Sequence, residues 1–221
     1  MPGAIWNRGN VLLGLYGQFH GRQGSKLHPL DLGLIVSNDG LHFREPVNDF
    51  VFLPRDSRSR WESGGVVQGQ AYENVGDQTY IYYGGWDGDV TDPATHSEIG
   101  LATLRRDGFG SLSPKQAGQP AALVTCALRA DDPVQLWLNA DGLSARSRLK
   151  VEVLDAQEKP LAEYSGSEAA LVQESGTRVQ VRWLRREAIE VAGRIFHLRL
   201  GFEGEESGQA RLYALYLGPA R

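Results

Sequence analysis

The chain has 221 residues, 41% of them hydrophobic, which is enough for one large core or two small ones. Its net charge is −4 and its 23 Lys and Arg residues are scattered, with no basic stripe beyond Leu184-Arg185-Arg186, so nucleic acid and other anionic polymers are excluded as expected partners. A single cysteine, Cys126, leaves no internal disulfide and no metal-ligand spacing, so neither a metal nor another cofactor is expected.

No stretch reaches the length of a membrane-spanning helix, so no membrane partner is expected. The opening residues Met1-Pro2-Gly3-Ala4-Ile5-Trp6 have neither a basic n-region nor an apolar h-region, and the compartment stays open. Glycine is abundant, at 27 residues, and falls mostly at turns between short apolar runs. That pattern, without long helical periodicity, predicts an all-β chain.

In chain order, strands are predicted over 2–9, 10–19, 31–37 and 42–46, then over 66–74, 78–86, 98–105 and 110–113. The two series are one unit written twice. At a constant offset of 67, Asn7 matches Asn74, Gly9 matches Gly76, Tyr16-Gly17 matches Tyr83-Gly84, Gly21 matches Gly88, and Leu32-Gly33-Leu34 matches Ile99-Gly100-Leu101. Such self-similarity marks a radially repeated sheet in which one unit cannot bury its faces alone. After the third strands, Asp39-Gly40 and Asp107-Gly108 supply the φ > 0 residues of tight turns. The connections over 21–30 and 88–97 are long, and loops of that size on a rigid sheet are where ligand contacts concentrate.

The repeat region is assigned to residues 1–113, and Pro114-Lys115-Gln116-Ala117-Gly118-Gln119-Pro120 reads as a linker. Beyond it the period disappears. Strands predicted over 121–128, 134–139, 149–155, 169–173, 178–183, 195–202 and 210–217 suggest a β-sandwich over residues 121–221, with turns at 155–160 and 203–208. Alternation over 123–128 places Cys126 in its core as a small apolar residue, and Trp137 and Trp183 read as core aromatics. Asn139-Ala140-Asp141-Gly142 is turn chemistry, since too few oxygen ligands follow for a calcium loop.

The turn Ser37-Asn38-Asp39-Gly40-Leu41-His42-Phe43, together with the run Gln68-Gly69-Gln70 through Tyr80-Ile81-Tyr82-Tyr83-Gly84-Gly85, resembles the blades of five-bladed propeller glycoside hydrolases of families 32 and 43. The resemblance implies a partial, two-blade propeller of the five-bladed type followed by a C-terminal sandwich. In that family three catalytic acids come from the first three blades, and a sandwich follows the fifth. The two copies here therefore resemble blades four and five, which would make the chain the C-terminal part of a longer protein and leave it without catalytic blades. Gln68-Gly69-Gln70 lies where family 43 enzymes place their general acid, and Gln has no proton to donate. Glu73, five residues on, is the remaining weak candidate for a catalytic acid, or else a structural carboxylate bonded to a neighbouring blade.

Candidate sugar-binding residues fall in the repeats. Trp86 and Asp87 open a long loop, where a ring can stack on sugar C–H faces and a carboxylate can accept hydroxyl protons; their counterparts at the offset are Phe19 and His20. Gln68 lies nearby, and Trp6 and Arg8 sit where an inner strand would approach a propeller axis. His20, His28 and His96 share these loops without convergent metal-ligand spacing, and residues 55–62 form a polar interblade loop. Each has a structural alternative, as a packed ring or a solvated turn. The sequence thus predicts a protein that binds carbohydrate, a glycan or oligosaccharide, and does not cleave it alone. In the alternative reading, the chain is a non-catalytic carbohydrate-binding or assembly module in which the sandwich does the work. Two isolated blades leave apolar faces uncovered, so a homo-oligomer joined through those faces is expected.

Overall fold

The computed structural model describes residues 3–9, 11–21, 29–89, 91–116, 118–191 and 193–220; His28 lies outside them. The chain is all-β with several sheets, none of them closed. Among the described residues three short 3-10 turns supply the helical content, and no helix is long and apolar enough to cross a membrane. Two compact units run Met1–Leu104 and Arg105–Arg221.

The first unit is built from β1 (Ala4–Asn7), β2 (Leu12–Phe19), β3 (Leu30–Ser37), β4 (Val51–Leu53), β5 (Gly65–Val75), β6 (Gln78–Trp86) and β7 (Ser97–Arg105). Their order in one sheet is β1-β2-β3-β5-β6-β7, with β4 on the side of β3. β1, β2 and β3 pair antiparallel, as do β5 and β6, whereas β3 meets β5 through the single parallel pair Leu30 and Gly65. Shifted by 67 residues, β2 falls within β6 and β3 within β7.

Contacts show why residues recur at that offset. Tyr16 lies directly across from Gly33 on β3, and a Cβ at Gly33 would sit 2.4 Å from the Tyr16 ring. A Cβ at Gly100 would likewise sit 2.3 Å from the ring of Tyr83. Each copy lays a tyrosine flat over a glycine, which a side chain there would prevent. Gly9 and Gly76 have φ of 90° and 56°, conformations that other residues adopt only at a cost.

The short outer strands differ from expectation. In 42–46 only Arg44 bridges back to Val36, and the outer position on β3 belongs to β4. The turn itself delays the strand. Asp39 Oδ1 accepts the Leu41 and His42 N–H groups at 2.8 Å each, Ser37 Oγ accepts the Gly40 N–H at 2.9 Å, and Asp39 Oδ2 pairs with His42 Nδ1 at 2.7 Å. In 110–113 no strand forms. Leu112 instead exchanges both backbone hydrogen bonds with Leu212.

The second unit holds β8 (Ala121–Val124), β9 (Leu128–Arg129), β10 (Val134–Asp141), β11 (Arg148–Leu154), β12 (Ala170–Val172), β13 (Gly176–Gln180), β14 (Ile195–Glu203) and β15 (Arg211–Pro219). One sheet has the order β13-β10-β15 and the other β12-β11-β14-β8, with β9 also on β14. Both contribute to one hydrophobic cluster, including Leu136 and Leu138 from β10, Val151 and Val153 from β11, and Phe196, Leu198 and Leu200 from β14. Full burial of such side chains stabilises by about 1.5–3 kcal/mol each. Trp183 is in this core as predicted: its ring meets Tyr164 edge-on at 5.4 Å, and Nε1 donates to the Val151 carbonyl at 3.1 Å.

Cys126 and Trp137 are not in the core. Cys126 is exposed because the inward positions are Ala121, Leu123 and Thr125, which leaves Cys126 on the outer side with Ala122 and Val124. Thr125 ties the chain to β14, its N–H donating to Leu198 O and its Oγ1 accepting from Leu198 N, both at 3.0 Å. Trp137 stands between two fully buried leucines, Leu136 and Leu138, so alternation turns it to the opposite face of its sheet.

Candidate functional site

At the loop end of the first unit, the residues that sequence singled out are held by their neighbours. Trp86 lies against the backbone of Gly64 and Gly65: a Cβ on Gly65 would come within 2.4 Å of the ring, and one on Gly64 within 2.7 Å. Asp87 closes the loop that follows. Its Oδ1 accepts the His96 N–H at 2.7 Å, and its own N–H donates to the His96 carbonyl at 3.1 Å. The first copy repeats the backbone bond at the offset, from His20 N–H to Pro29 O at 3.0 Å.

Each loop base also carries an imidazole–carboxylate pair. His20 Nε2 lies 3.0 Å from Asp31 Oδ2, and His96 Nε2 lies 2.6 Å from Glu98 Oε1, with Asp31 and Glu98 related by the offset. The hydrogen bond to Glu98 raises the His96 pKa above the ordinary imidazole value, with a smaller push from the charge of Asp87. Asp31 is fixed in turn by the Arg55 N–H, which it accepts at 2.6 Å. Together His20, Tyr16, Gln18, Phe19 and Asp49 line an open recess of about 300 Å³.

The other predicted residues lie elsewhere in the unit. Trp6 is stacked on Tyr72 with ring centroids 5.4 Å apart, and the Arg8 guanidinium lies 4.5 Å over the Trp6 ring, so one aromatic–cation column absorbs both candidates. Gln68 is half-buried opposite Tyr83. Glu73 is exposed opposite Tyr80, and among the described residues its carboxylate has no hydrogen-bond or ion-pair partner.

A different site stands on the outer face of β13-β10-β15. Trp137 is paired across the sheet with Gln180 on one side and Tyr216 on the other, and Gln135 is paired with Gly218. The absence of a side chain at Gly218 makes room for the ring, since a Cβ there would lie 3.0 Å from Trp137 Cζ3. Arg178 reaches across from β13 with its guanidinium 4.7 Å over the ring. Gln135, Trp137, Arg178, Gln180, Gly218 and Pro219 line an open recess of about 490 Å³.

The polar groups of this recess have capacity to spare. Arg182 Nη2 donates to Gln180 Oε1 at 3.0 Å, which leaves the Gln180 amide N–H groups to donate outward. Among the described residues Arg178 has no carboxylate partner and Gln135 no side-chain hydrogen bond. The guanidinium lies over the ring itself, as that of Arg8 does over Trp6, so stacking of the ring on an apolar sugar face requires Arg178 to swing aside, while the two amides can hydrogen-bond hydroxyls around the edge. Sequence reasoning missed this platform although the signal was present: apolar residues at 136, 138 and 140 leave 137 facing outward.

Among the described residues three carboxyl groups, Asp39, Glu152 and Asp155, are moved down. Backbone N–H donors hold Asp39 and Asp155 below the usual range, those of His42 and Lys159 being foremost. Burial opposes ionisation of Glu152, but the Gly166 N–H, Arg199 and Lys150 outweigh it and lower its pKa. Among the described residues no three His, Cys, Asp or Glu side chains converge to hold a metal ion.

No protein-family model matches the chain, and no curated protein matches it in sequence. Among solved structures it is similar to one described as "Glycoside hydrolase", with 9% sequence identity and a TM-score of 0.28, over 98% of this chain and 59% of that one. The chain thus spans less than two thirds of that structure's length, and a likeness so remote decides neither fold family nor activity.

Proposed function

We propose that this chain is a carbohydrate-binding protein without hydrolytic activity of its own, its first unit two blades of a five-bladed-type propeller and its second a β-sandwich that carries the sugar platform. One observation supports the choice of platform: Trp137 is turned out of the core beside Gln135, Gln180 and an Arg178 that has no carboxylate partner among the described residues. Sugar recognition needs a flat apolar face and polar groups whose hydrogen bonds are not already spent. In the first unit Trp86 covers glycine backbone and Asp87 already accepts a backbone N–H, so that pair is the second reading of where sugar binds, favoured by its place at the base of the long connection after β6.

The reading without hydrolysis is supported by Gln68, which occupies the acid-like position and has no proton to donate. A glycan array probed with the full chain and with Trp137→Ala tests the proposal: binding to a defined set of glycans that is lost in the variant is expected. No binding to any glycan by the unsubstituted chain, or turnover of an aryl glycoside that disappears in Glu73→Gln, would overturn it.

A further inference from the structure

The two copies of the repeat are built alike but covered differently. On the first copy, Ala4, Leu15 and Leu34 share one face of the sheet through the pairs Ala4–Leu15 and Leu15–Leu34, and alternation adds Leu32. Leu15, Leu32 and Leu34 are 1%, 0% and 8% exposed. The second copy provides the cover: the Tyr72 hydroxyl donates to the Ala4 carbonyl at 2.9 Å, and its ring stacks on Trp6.

The equivalent residues of the second copy, at the same offset, are Tyr82, Ile99 and Leu101. They also share a face, because Tyr83 and Gly100 are in contact on the other. Here exposure is 40%, 82% and 47%. Identical positions are thus sealed in one copy and open in the next. On the covering side the relation is reversed: Tyr72 of the second copy is half-buried against the first, whereas its first-copy counterpart Ile5 is 41% exposed.

We infer that the Tyr82–Ile99–Leu101 face receives the Ile5 face of a second copy of this chain, repeating between molecules the contact that joins the two repeats within one. The occupant follows from equivalence, since the surface that covers Leu15, Leu32 and Leu34 is itself a copy of the repeat. Such a contact is heterologous, using two different faces, so it can propagate instead of stopping at two. Glu73 stands where the first copy has Trp6, which replaces the aromatic stack by a carboxylate at the rim and makes the association weaker than its internal counterpart.

Sedimentation velocity on the full chain across micromolar concentrations tests this. Unsubstituted protein is expected to grow with concentration, while Ile99→Glu and Ile5→Glu each remain monomeric, with association weakened by about tenfold or more. Both residues are substantially exposed, and Leu101→Lys offers a second probe of the receiving face should Ile99→Glu fold poorly. Mixed in equal amounts, Ile99→Glu and Ile5→Glu should form a heterodimer that grows no further, because each supplies the face that the other lacks. A monomeric unsubstituted chain at every concentration, or Ile5→Glu associating like the unsubstituted chain, would overturn the inference.

Discussion

Replacing Gly100 with alanine should test the packing that makes the repeat. The new Cβ would lie 2.3 Å from Tyr83 Cζ and 2.7 Å from Trp61 Cη2, well inside van der Waals contact. Neither ring can retreat cheaply, because Tyr83 donates to Glu62 Oε2 at 2.9 Å and stacks on Trp61 with centroids 5.9 Å apart. Overpacking of this kind costs about 1–3 kcal/mol. Urea unfolding followed by tryptophan fluorescence measures it, with Gly110→Ala as the control, since nothing lies within 4 Å of a Cβ there. The control should stay within about 0.5 kcal/mol of the unsubstituted chain. In a Tyr83→Ala background the cost of Gly100→Ala should shrink by about 1 kcal/mol or more, as the nearest ring is then gone. Equal stability of Gly100→Ala and Gly110→Ala, or an undiminished cost without Tyr83, would refute the reasoning.

Alkali should weaken the fold in a defined window. Burial pushes the phenols of Tyr72, Tyr83 and Tyr216 up to about 12, with further contributions from Glu62 at Tyr83 and Asp107 at Tyr216. Each holds its proton more tightly folded than unfolded, so this stabilisation is complete below pH 10 and is lost as pH rises to about 12; ultraviolet titration of the unsubstituted chain against Tyr72→Phe, Tyr83→Phe and Tyr216→Phe should assign a late ionisation to each of the three. On the acid side, Glu152 is depressed, so its contribution is present above the ordinary carboxylate pKa and is lost as pH falls through the lowered value. Glu152→Gln should lower stability at neutral pH by about 1–3 kcal/mol and flatten the acid limb of the stability curve, measured by urea midpoints at several pH values.

Much of the fold was legible because its signals are local. The strand over 78–86 was read to the residue, and Tyr83 with Gly100 recurs from Tyr16 with Gly33 because ring and glycine must meet across neighbouring strands. The outer strands were less legible. The side-chain bonds of Ser37 and Asp39 spend backbone groups that a strand at 42 would need, and Leu112 finds its partner a hundred residues away at Leu212. The site was legible in its residue types but not in their exposure. Trp86 looked available until the glycines beneath it were seen, whereas Trp137 looked buried because a tryptophan among leucines suggests core, even though strict alternation turns it outward. Cys126 failed for a related reason: Leu123 and Thr125 are the inward residues, and the period-2 count breaks between Cys126 and Leu128, so Leu128 does not share a side with Cys126.

Calorimetry with a glycan selected from the array most directly tests whether the second unit holds the sugar. Trp137→Ala is expected to lose about 1–3 kcal/mol of binding free energy, the value of a stacked ring with its attendant hydrogen bonds, while Trp86→Ala binds like the unsubstituted chain. Unchanged affinity in Trp137→Ala together with loss in Trp86→Ala would contradict the proposal and place the site at the loops of the first unit.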